Sequence, residues 1–140
     1  MNTFRTFLLI AFFNGLSICA FSQDVPAKID AFNAAIGKQY NVSNKGNKLI
    51  IEGFREGKQV KVDKVNVFDL DLKTLKFSEK DRAVSIKCYS DIDGCVNRVL
   101  LLNKKKSYRQ RVVFAVPENV SGEEIVNKLK ILLNEMIKKR

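Results

Sequence analysis

Val84-Ser85-Ile86-Lys87-Cys88-Tyr89-Ser90-Asp91-Ile92-Asp93-Gly94-Cys95-Val96 is the stretch from which the fold is read. Val84, Ile86 and Cys88 share one parity, the mark of a half-buried strand, and Asp93-Gly94 is favoured turn chemistry. A hairpin centred near Asp91-Ile92 sets positions 88 and 95 opposite each other across the ladder. Directly opposed antiparallel residues have Cα atoms about 4.5–5.5 Å apart, within the range a disulfide accepts. The spacing is not the C-x-x-C of thiol oxidoreductases, and a chain without histidine lacks the ring nitrogens of most zinc sites. Cys88 and Cys95 are therefore predicted to form a structural disulfide, with free thiols as the alternative.

A disulfide implies an oxidising compartment, and the N-terminus agrees. Arg5 is followed by the apolar run Phe7-Leu8-Leu9-Ile10-Ala11-Phe12-Phe13, and Ala20-Phe21-Ser22 places small residues before Gln23. Residues 1–22 are predicted to be a cleaved signal peptide, leaving 23–140 as a single domain in the periplasm or outside the cell. Leu16-Ser17-Ile18-Cys19 also resembles a lipobox, which makes an acylated Cys19 the alternative, although Ile18 departs from the small residue that pattern requires. The whole chain carries 25 basic and 15 acidic residues, a formal charge of +10, and the leader removes only Arg5 from the basic set. Such an excess attracts polyanions without naming one.

Outward from the cysteines, strand signals continue on both sides. Lys48 to Phe54 and Gln59 to Asp63 are joined by the turn Glu56-Gly57, with Val60 and Val62 expected inward and Gln59, Lys61 and Asp63 outward. The next apolar pair, Val65 and Val67, has the other parity, so a bulge or bend is expected near Asp63-Lys64. Leu70, Leu72, Leu75 and Phe77 follow through an irregular stretch at Asp71-Leu72-Lys73. Val99-Leu100-Leu101-Leu102 is apolar on both parities and reads as a central strand, Asn103 to Ser107 as a turn, and Val112, Phe114 and Val116 as the last strand, ended by Pro117.

Helices flank this run. Asp24 to Ile36 sets Ile29, Phe32 and Ile36 on one face, and Gly37 stops it. Ser121-Gly122-Glu123-Glu124 is a capping box, after which Ile125, Leu129, Leu132, Leu133 and Met136 form one stripe. The predicted class is α+β, with a short N-terminal helix, about five to seven antiparallel strands and a long capped C-terminal helix. Two architectures fit: a curved antiparallel sheet packed on the helices, or a partly open barrel. The strand run 48–116 followed by the helix 122–138 resembles a pleckstrin-homology-like (PH-like) barrel, whose last helix plugs one open end. Phe68-Asp69-Leu70-Asp71, the cysteine segment and that helix are also similar to small secreted bacterial domains of unassigned role. Element order carries the likeness, with no diagnostic motif, so it implies no functional residue.

The absence of histidine excludes Ser-His and Cys-His hydrolase chemistry, and no phosphate-binding glycine loop is present. A Ser–Lys pair or paired carboxylates would be the remaining catalytic options. The expectation is a non-catalytic envelope domain with a binding or structural role and no cofactor or metal. Asp91-Ile92-Asp93-Gly94 opens like a calcium loop but lacks the later oxygen ligands, so it is read as a turn. Asn41-Val42-Ser43 and Asn119-Val120-Ser121 match the glycosylation sequon, the second already committed to helix capping. The densest basic cluster, Lys104-Lys105-Lys106 with Tyr108, Arg109 and Arg111, is the candidate anion-binding loop. Its partners would be an anionic glycan, a lipid surface or an envelope protein, since export separates the chain from nucleic acid.

Overall fold

The computed structural model describes residues 24–139; the leader, its cleavage site and Cys19 lie outside the described residues. The chain runs α1 (Asp24–Ile36), β1 (Tyr40–Lys45), β2 (Lys48–Arg55), β3 (Lys58–Asn66), a short 3-10 turn (Val67–Asp69), β4 (Leu70–Ser78), β5 (Ala83–Cys88), β6 (Val96–Leu100), β7 (Lys105–Arg109), β8 (Arg111–Ala115) and α2 (Gly122–Lys138). The class is α+β with both helices where the sequence places them. Among the described residues the strands number eight, and they form two open antiparallel sheets rather than one: β1-β2-β3-β6-β7 and β4-β5-β8. No helix among the described residues is long and apolar enough to cross a membrane.

The cysteine segment is not a hairpin. β5 pairs with β4 and β8, whereas β6 pairs with β3 and β7, so residues 89–95 carry the chain from one sheet to the other. The disulfide is nevertheless there, with Cα atoms 5.8 Å apart, and it staples the crossover instead of a two-stranded ladder. Two further passages lie beside it. Residues 67–69 join β3 to β4, and Gln110 is the pivot between β7 and β8. Tyr89 N donates to Asp69 O at 3.0 Å and Cys88 N donates to Gln110 O at 2.8 Å. The Gln110 side chain fastens the corner, donating to Ile92 O and accepting from Gly94 N, both at 2.7 Å.

α1 and α2 pack on each other and close the core. Val25, Ile29, Phe32 and Ile36 of α1 meet Ile125, Leu129, Leu132, Leu133 and Met136 of α2, which is the stripe read from the sequence. From the sheets, Leu49, Ile51, Val65, Val84, Ile86 and Phe114 face them. Phe114 stacks edge-on against Phe32 and Tyr40, ring centroids 5.2 Å apart in each case. Ser121 Oγ accepts from Glu124 N at 3.4 Å, as an N-cap should, while the Glu124 carboxylate turns along the helix toward Lys128.

β3 differs from its sequence reading. It has no bulge at Asp63-Lys64; the register shift falls between the Gly53–Lys61 and Phe54–Gln59 pairs and leaves Val60 of β3 without a partner across from β2. From Lys61 onward parity is continuous, and Asp63, 1% exposed, occupies an inward position in line with Val65 and Val67. Val60 and Val62 lie on the opposite face, half-buried. The basic stretch read as a turn contains a strand, because β7 is built by ladder pairing to β6 rather than by burial of alternate side chains. Leu101 and Leu102, read as strand, are in the turn before it, and Leu102 is 98% exposed.

Candidate functional site

Six strands contribute to a cleft of about 520 Å³ between one face of the five-stranded sheet and the edge of β8. Its cations are Lys61, Lys87, Arg98, Arg109 and Arg111, with Tyr40 at one end and Gln110 at the other. No carboxylate is among its lining residues. The strand period explains the convergence. Lys61 faces inward on β3, with Arg98 on β6 opposite Asp63 and Arg109 on β7 opposite Val96, so three ladder neighbours put their charges on one face. Lys87 and Arg111 are directly opposed on β5 and β8 and bring two more.

Asp63 lies beneath this floor. Arg98 Nε donates to Asp63 Oδ1 at 2.8 Å and Nη2 to Oδ2 at 2.9 Å, a bidentate pair. Lys61 Nζ stands 3.9 Å from Oδ2. The hydrogen bonds it donates to Asp63 raise the Arg98 guanidinium above its ordinary basicity. Lys61 is shifted the other way: burial lowers its pKa, and Arg98 and Arg109 add to the lowering while Asp63 opposes it. One carboxylate thus serves two cations, and Arg109, Arg111 and Lys87 have no ion-pair partner among the described residues.

Gly53 makes room for Lys61. It faces Lys61 across the β2–β3 ladder, and a Cβ at position 53 would lie 2.8 Å from Lys61 Cγ and Cε. The lysine stem lies across the glycine and its ammonium reaches 5.8 Å from the Tyr40 ring centroid. Tyr40 Oη accepts from Ala115 N at 2.9 Å, tying the floor to β8. Ser107, opposite Arg98 in the β6–β7 ladder, has a buried Oγ without a hydrogen-bond partner.

The basic cluster predicted from the sequence is divided by this geometry. Arg109 and Arg111 line the cleft. Lys106 and Tyr108 have the other β7 parity and point away, Tyr108 with 72% of its surface exposed. Lys104 sits in the turn at the hairpin tip and Lys105 opens β7, both exposed. Lys61, Lys87 and Arg98 are not legible in the sequence as one cluster, because they lie singly in three different strands, far apart along the chain. The inward parity that Lys61 and Asp63 share with Val65 and Val67 was the available signal. No family model, curated protein or solved structure matches the chain.

Proposed function

We propose that this is an exported, non-catalytic domain that binds anionic groups in the cleft between its sheets. The observation that carries this reading is the gathering of five cations, from five strands, around one cleft whose lining contains no acid. Burial is the main cause of the lowered Lys61 pKa, repulsion from Arg98 and Arg109 adds to it, and an incoming anion relieves that repulsion. Arg109 and Arg111 can present planar guanidinium forks to carboxylate, sulfate or phosphate oxygens.

Calorimetric titration with a sulfated oligosaccharide and with a Glu-rich peptide tests the reading. At low salt, binding is expected for the native chain and should fade as salt rises. Replacing Arg109 and Arg111 together by Gln should weaken it about a hundredfold, since each desolvated charged contact contributes about 1.5 kcal/mol. Replacing Lys104, Lys105 and Lys106 by Gln should leave it nearly intact. No binding of either probe at low salt would remove the proposal.

A second reading has its own observation. Leu102 projects almost fully exposed from the β6–β7 turn beside Lys104, Lys105 and Lys106, an arrangement that suits an anionic lipid surface. Sedimentation with phosphatidylglycerol vesicles, lost on Leu102→Ser, would favour this surface over the cleft.

A further inference from the structure

Resting on the anion-binding reading of the same cleft, we infer that its ligand is an extended acidic peptide that adds as a fourth strand to β8. β8 pairs with β5 on one side only, and its other edge borders the cleft. Val116 N donates to Arg82 O on the β5 side, while Ala115 N donates away from β5, to Tyr40 Oη. In an antiparallel ladder the N–H and C=O of one residue point to the same side, and successive residues alternate. The N–H and C=O of Arg111 and Val113 therefore point out of the sheet along the open edge, at the spacing of a strand.

This edge distinguishes a peptide from a free anion. An anion can use the amide donors, but it then faces the carbonyl oxygens of Arg111 and Val113. An extended backbone offers a donor and an acceptor per residue and satisfies both. The slot has defined ends: Gln110, locked into the corner by its contacts to Ile92 and Gly94, and Tyr40, whose hydroxyl already holds Ala115 N. The cations specify the side chains. A strand lying along β8 passes Lys61, Arg98 and Arg109, which meet carboxylates carried on alternate residues. Past Tyr40 the groove continues beside Phe54, Leu100 and Leu102, where an apolar residue of the peptide is accommodated.

The test uses an acetylated heptapeptide of alternating Glu and Thr, the same peptide with alternate backbone nitrogens methylated in each of the two phases, and a sulfated oligosaccharide. Methylating the phase that faces β8 should weaken binding about tenfold by removing two or more backbone bonds, and methylating the other phase should leave it close to the parent. Hydrogen exchange at the Arg111 and Val113 amides should slow about tenfold when the parent peptide binds. Equal affinity of the two methylated phases, or unchanged exchange at both amides, overturns strand addition. Binding of the oligosaccharide without binding of the parent peptide also overturns it, yet leaves the anion site standing. If neither probe binds, the anion site itself fails.

Discussion

Asp63 is the residue on which the cleft floor depends. Its carboxylate is buried under two cations, so removing it leaves Arg98 and Lys61 partly desolvated and without their counter-charge. Breaking a buried pair from one side costs about 3 kcal/mol or more. Asp63→Asn should therefore lower the unfolding free energy by about that much, read as a lower urea midpoint at unchanged m-value, and a midpoint within experimental error of the native value would contradict the role given to the pair. Lys61 yields a pH dependence of opposite sense to an ordinary ion pair. Burial, Arg98 and Arg109 lower its pKa from the ordinary 10.5, so the unfolded chain holds this proton more tightly than the folded one. Between the lowered value and 10.5 the unfolded state binds more protons, and stability rises with pH. The native chain should accordingly gain on Lys61→Met as pH approaches 10.5, measured by urea unfolding at a series of pH values; a growing deficit would refute it. Gly53→Ala should push the Lys61 stem from its seat and weaken anion binding, which calorimetry reads directly.

Among the elements, α2 is clamped at its start. Gly122 packs so closely on the Phe77 ring that an added Cβ would overlap it, and Arg82 lies over the same ring, 5.5 Å to its centroid. Arg82 Nη2 donates to Pro117 O at 2.7 Å and to Val120 O at 3.1 Å, fixing the approach to the helix. Alanine is the better helix former by about 1 kcal/mol, yet Gly122→Ala should destabilise by about 1–3 kcal/mol because overpacking wins. A higher thermal midpoint in that variant would show that the ring yields freely. α2 itself was legible in the sequence, since its cap and its stripe are local patterns and its buried face is broad. β7 was not: Lys105-Lys106-Ser107-Tyr108-Arg109 has no apolar alternation, because one side of that strand meets the cleft and the other meets solvent. The strands around the cysteines were legible but their pairing was not, since partner choice is set by contacts far along the chain. Hydrophobicity alone sets Asp63 outward, whereas its inward position is made tolerable by Arg98, thirty-five residues away in sequence.

At the scale of the whole molecule, both sheets and both helices share one core, so unfolding should remain a single cooperative transition. Replacing Cys88 and Cys95 by Ala should shift that transition by about 2.5 kcal/mol on the chain-entropy argument for a short loop, without splitting it in two. Two transitions in urea, seen by fluorescence and by circular dichroism, would mean that the sheets fold apart. The edges of the sheets are handled differently. The β1 edge is occupied by a side chain that imitates a strand, Asn33 donating to Val42 O at 2.9 Å and accepting from Val42 N at 2.8 Å. That contact guards β1 against adventitious pairing, while nothing comparable among the described residues covers Arg111 and Val113. The three passages between the sheets all lie along one side, joined laterally by hydrogen bonds and sewn by a covalent bond. They form the spine of a book whose covers are the two sheets. On the fore-edge, Tyr40 acts as a latch of one hydroxyl and one ring. A book bound in this way opens at its latch, so any widening that admits a guest spares the spine and is felt first at the page where the positive charges are written.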